Sequence, residues 1–66
     1  MWRVYYDNGL DPILELGMYD TKRQAISIKR TFIYTSTKDK TYDSYEDSRR
    51  DSREYNLMTI IEKVEE

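Results

Sequence analysis

Residues 43–54 read DSYE-DSRR-DSRE, three four-residue units that each open with Asp-Ser. Several chemistries are open to such a segment. Arg49, Arg50 and Arg53 could grip phosphate, because a guanidinium presents a planar fork of donors. Tyr42, Tyr45 and Tyr55 could then stack on bases. The carboxylates of Asp43, Glu46, Asp47, Asp51 and Glu54 could instead hold a cation, or the alternating signs could be matched in register by another protein. The same acids would repel a phosphate backbone, and counterion release needs a net positive surface, whereas the chain carries a net charge of -2. Calcium loops place carboxylates at alternate positions around a turn glycine; here they recur every fourth position and the segment has no Gly. Matched charges against a protein therefore lead. The candidate partner-binding residues are Tyr42, Tyr45, Glu46, Asp47, Arg49, Arg50, Asp51, Arg53 and Tyr55. The plain alternative is a solvated segment with no partner.

Catalysis is hard to build from this chain. His and Cys are absent, which removes thiolate chemistry, disulfides and the usual zinc sites. Carboxylates, Lys and Tyr remain, and two nearby carboxylates could in principle hydrolyse a bond. A 66-residue domain offers no obvious water-excluding pocket for them. With Gly9 and Gly17 the only glycines, neither a phosphate-cradling glycine loop nor a nucleophile elbow is present. The sequence reads as a non-enzyme, with no catalytic residue, metal or cofactor.

The elements that must position these residues follow from local patterns. Trp2 to Tyr6 is β-branched and aromatic, with Trp2, Val4 and Tyr6 on one face and Arg3 and Tyr5 on the other, a strand signal. Asp7-Asn8-Gly9 marks a turn, and Pro12 suits the entry of a second strand. That strand, 13–19, alternates Leu14, Leu16 and Met18 against Glu15 and Gly17. Thr21 with Gln24 fits a capping box, and from Lys22 to about Tyr34 the apolar residues fill an arc of roughly 160°, the width of a core-facing helix stripe. Lys29 lies inside that arc, as a stem whose ammonium reaches the rim. Residues 35–54 have no aliphatic side chain. Four-residue spacing is near the helical period, so the repeat fits a helix capped by Thr41 or Asp43, with favourable Glu46–Arg50, Asp47–Arg50 and Arg50–Glu54 pairs; a polar loop is the alternative. Apolar residues resume at 55–64, where Leu57, Thr59 and Ile61 alternate with Met58, Ile60 and Val64 as in a central strand or one also covered by a second subunit.

The expected fold is α+β: a single domain over 1–66, ββαβ in order, with a three-stranded antiparallel-type sheet and one helix across one face. Trp2 and Val4 should lie under the helix. So small a chain buries about 60% of its unfolded surface, which makes a homo-oligomer a possible supplement to its core. Seven Tyr and one Trp exceed what such a core can hide, and both types are favoured at interfaces. No apolar run approaches membrane-spanning length and no leader pattern opens the chain, so the expected location is the cytoplasm.

The outline also has a likeness. The initiator Met running directly into the first strand, the strand–strand–helix–strand order, the helix entry YDTKRQAI and the Tyr/Asp-rich polar segment resemble the short proteins that phages and mobile elements encode to block host machinery, anti-CRISPR and transcription-inhibitor types among them. That resemblance implies a stoichiometric inhibitor that covers a site on a host protein, such as a defence or nucleic-acid enzyme. It carries no residue roles with it. A nucleic-acid-binding protein using Arg49, Arg50 and Arg53, or a homo-oligomeric assembly subunit, are the alternatives.

Overall fold

A computed structural model, which describes residues 1–65, orders the chain as β1 (Trp2–Tyr6), β2 (Leu14–Tyr19), α1 (Lys22–Thr37), α2 (Tyr45–Met58) and β3 (Thr59–Lys63). The strands form one antiparallel sheet in the order β2-β1-β3. The first strand is central because its two neighbours in space are the hairpin partner and the strand that follows the helices. In the register, Val4 lies between Gly17 and Ile61 and is fully buried. Ala25 of α1 is buried to the same extent. These two small apolar side chains mark where α1 crosses the sheet, on the Trp2–Val4–Tyr6 face as expected.

The β1–β2 hairpin departs from simple alternation. Its loop is held by side chains: Asp7 accepts from the Gly9 amide, and Asn8 accepts from the amides of Leu10 and Asp11. Between Val4 and Tyr5 the register shifts, so Leu16 becomes the extra residue of a β-bulge. Leu14 therefore pairs with Tyr6 and Met18 with Arg3, on opposite faces of the sheet, and the expected common face for Leu14, Leu16 and Met18 does not form. Gly17 supplies the backbone that the bulge needs, at φ +123°, a region that side chains other than glycine's rarely enter. A Cβ there would also stand 2.8 Å from the Tyr19 hydroxyl, which is itself fixed by donating to the Leu16 carbonyl at 2.7 Å.

The capping box forms as the spacing predicts: the Gln24 amide donates to the Thr21 hydroxyl and the Thr21 amide to the Gln24 side chain. Lys29 is half-buried, and desolvation pushes its ammonium below the ordinary lysine value. The helix then runs three residues beyond the expected end. Past it, 38–44 is a linker and residues 45–58 form a second helix, so most of the repeat is helical rather than looped. That helix takes Tyr55, Asn56, Leu57 and Met58 away from the expected last strand. Two interactions explain this. The Tyr55 ring stacks on Tyr6 at 5.5 Å and meets Phe32 at 6.1 Å, while Tyr6 meets Phe32 at 5.3 Å. Thr59 then ends the helix, its amide and hydroxyl both donating to the Tyr55 carbonyl.

The uncovered sheet face centres on Arg3. It is paired in bidentate fashion with Glu15, lies 3.6 Å from Glu62, and its guanidinium stacks over the Tyr5 ring. The molecule measures 45 × 25 × 15 Å with a radius of gyration of 12.9 Å, against about 10.8 Å for a compact chain of this length. Its surface of 5212 Å² likewise exceeds the roughly 4,500 Å² typical of a monomer of this mass. Surface is left over that the fold itself does not use.

Candidate functional site

The repeat resolves into an inside and an outside. Asp43-Ser44 precedes α2, and Ser44 is its N-cap, accepting from the Asp47 amide at 3.2 Å. Glu46 and Asp47 follow in the first turn, where negative charge complements the helix dipole. Because a four-residue step advances only about 40° around a helix, each position of the repeat stays near one face. The Asp-Ser positions, Asp47, Ser48, Asp51 and Ser52, are half-buried. The third and fourth positions, Tyr45, Glu46, Arg49, Arg50, Arg53 and Glu54, are all exposed.

The inner face is a closed network. Asp51 accepts from the Tyr42 hydroxyl at 2.5 Å and from the Lys40 ammonium at 3.1 Å. Lys40 also donates to the Tyr55 hydroxyl at 3.2 Å and sits 4.8 Å from that ring. The Tyr42 hydroxyl, then Lys40, hold the Asp51 carboxyl below the usual carboxylate range. The same contacts push the Tyr42 phenol up, since ionising it would place a second anion beside Asp51, and raise the Lys40 ammonium. Three of the nine candidate residues, Tyr42, Asp51 and Tyr55, are thus engaged in tying the 38–44 linker to α2 and α2 to the sheet. The reading of the sequence passed over Lys40, whose role depends on a linker conformation that spacing does not encode.

The outer face holds Tyr45, Glu46, Arg49, Arg50 and Arg53, while Asp47 stays at the half-buried Asp-Ser positions. Tyr45 is 77% exposed and has the Arg49 guanidinium 5.8 Å from its ring centroid. Of the three charge pairs expected along the helix, only Asp47–Arg50 comes within 4 Å, at 3.9 Å. Leu57 closes this slowly winding row, 72% exposed, about 18 Å along the axis and about 120° around it from Tyr45. Read as a strand residue, it escaped the candidate set. Its signal was present all the same, because 45, 49, 53 and 57 continue one phase of the repeat.

Elsewhere the chemistry is sparse. A groove of about 270 Å³ between β2 and α1 is lined by Tyr19, Gln24, Ser27 and Ile28, and Tyr19 is its one ionisable side chain. Among the described residues, no group of three or more acidic side chains converges where a metal ion could sit, and no helix is long and apolar enough to cross a membrane. No protein-family model matches the chain, and no curated protein or solved structure matches it.

Proposed function

We propose that the chain is a non-enzymatic protein-binding module whose contact face is the outer side of α2. In this reading it acts stoichiometrically, covering a site on a host protein such as a defence or nucleic-acid enzyme, as the short phage and mobile-element inhibitors that its outline resembles would do. One observation carries the reading. Two large apolar side chains, Tyr45 and Leu57, stand exposed at the ends of a row whose middle is Arg49 and Arg53. Tyr and Arg dominate interface hot spots, and an apolar anchor at each end of a charged row supplies area that mixed charge alone does not. Glu46, Arg50 and Glu54 alternate in sign beside that row, which favours a partner of complementary pattern and penalises others.

The inward engagement of Tyr42 and Tyr55 bears on the nucleic-acid alternative for this helix. Of the three tyrosines that could stack on bases, Tyr45 alone stands on the outer face. One stacking platform among interleaved acids suits a protein better than a strand of nucleic acid. The test is affinity capture from the native host followed by binding measurements on the purified partner. Tyr45→Ala/Leu57→Ala should weaken that binding at least about tenfold, the loss of roughly 1.4 kcal/mol that a modest hot spot supplies. Unchanged binding by this variant, with its fold intact by circular dichroism, would remove α2 as the contact face.

A further inference from the structure

The exposed surface of α1 differs in kind from that of α2. Along its 16 residues α1 carries Lys22, Arg23, Lys29 and Arg30 and no acidic residue, in a chain with 13 acidic residues. Outside the two helices the balance reverses, with nine acidic residues against four basic ones. The net charge of -2 averages a basic helix against acidic loops and an acidic C-terminal end, the strands being balanced.

On α1 the basic residues are also aligned. At about 100° per residue, Arg23, Ser27, Arg30 and Tyr34 fall within an arc of roughly 60°, and Lys38, the C-cap residue, continues their line. All five are exposed, Tyr34 by 67%. Arg23, Arg30 and Lys38 make no ion pair among the described residues. On one side of the line the surface is Gln24, Thr31 and Thr35, and on the other the helix turns inward through half-buried Thr37, Ile26 and Ile33. Every exposed side chain of α1 is therefore Lys, Arg, Gln, Ser, Thr or Tyr, the types that contact phosphate and sugar oxygens. Nothing aliphatic stands among them to anchor a protein, as Leu57 does on α2.

From Arg23 to Lys38 the line extends about 22 Å, the axial length of roughly six base pairs at 3.4 Å each. Single-stranded nucleic acid is held by successive aromatic platforms, and this line has one. We propose that the outer face of α1 is a docking surface for the phosphate backbone of duplex nucleic acid, without base specificity and separate from the protein-contact face on α2.

The experiment follows the anisotropy of a labelled duplex DNA of about 20 base pairs as the protein is added, at salt between about 20 and 200 mM. Binding should weaken with salt at a log–log slope of about -3, the value for three to four neutralised phosphates. Arg23→Glu/Arg30→Glu should weaken it at low salt by at least about tenfold, since charge reversal repels the phosphates it replaces. Arg49→Ala/Arg50→Ala/Arg53→Ala should leave it within about twofold, and the single strand of equal length should bind more weakly. Circular dichroism checks each variant, and Arg23→Gln/Arg30→Gln replaces the reversal should that variant unfold. Absence of binding at the lowest salt would overturn the proposal. So would retention in the α1 variants, loss confined to the α2 variant, or single strand or polyglutamate bound as tightly as duplex.

Discussion

Asp51 is the residue on which the ordering of the repeat turns. Its carboxyl lies below its unfolded value because Tyr42 and Lys40 both donate to it. The contribution of this link to stability is thus fully present above the ordinary carboxylate value near 3.8 and is lost as pH falls through the lower folded value. At the basic end the order is opposite. Tyr42 and Lys40 have raised values, so their share holds below the unfolded values and disappears as pH rises through the folded ones. A tyrosinate absorbance titration should accordingly find one phenol ionising above the ordinary value of 10.0. Asp51→Asn should bring that phenol back toward ordinary behaviour and speed amide exchange across 38–44; an unchanged titration would place Tyr42 elsewhere. Gly17 is the second sensitive position. Gly17→Ala meets both a positive φ and the Tyr19 hydroxyl at 2.8 Å, and should lower unfolding free energy by about 1–3 kcal/mol in urea denaturation. A loss of less than about 0.5 kcal/mol would mean that the bulge can relax.

At the scale of elements, α2 depends on its cap and on one ring. Ser44→Ala removes the acceptor for the Asp47 amide and should cost about 0.5–2 kcal/mol, read from the urea midpoint and from faster exchange in the first turn. Tyr55→Phe keeps the stack with Tyr6 and Phe32 but loses the Lys40 contact, so its cost should stay near about 0.5–1.5 kcal/mol; Tyr55→Ala should cost clearly more. Equal losses in the two variants would show that the ring contributes little. Much of this layer was legible in advance. The first strand and its faces, the capping box and the ββαβ order follow from alternation and spacing, which are local. Two features did not follow. The bulge at Leu16 depends on Gly17 adopting a backbone that the letters alone permit but do not require. The boundary at 55–58 was decided by Tyr55 stacking on Tyr6, a contact between residues 49 positions apart, which overrode an apolar pattern equally suited to a strand. As for the candidate site, the repeat could be recognised as a helix period, whereas the division into an inner Asp-Ser face and an outer face needed the position of α2 against the sheet.

For the whole molecule, charge distribution matters more than its sum. A balance near neutrality argued against a polyanion partner, yet every acid lies outside α1, and that segregation emerges only when element boundaries and exposure are known. With its inner network closed, the fold leaves two exposed helix faces of different composition, one with apolar anchors among mixed charges and one purely phosphate-contacting in type. The proposed function requires the first of these faces, on α2, to hold a protein partner. Calorimetric titration of the captured, purified partner with three proteins tests it most directly: wild type, Tyr45→Ala/Leu57→Ala and Arg23→Glu/Arg30→Glu. Wild type should bind saturably, the α2 variant at least about tenfold more weakly, and the α1 variant with wild-type affinity. Loss in the α1 variant with the α2 variant unaffected would contradict it.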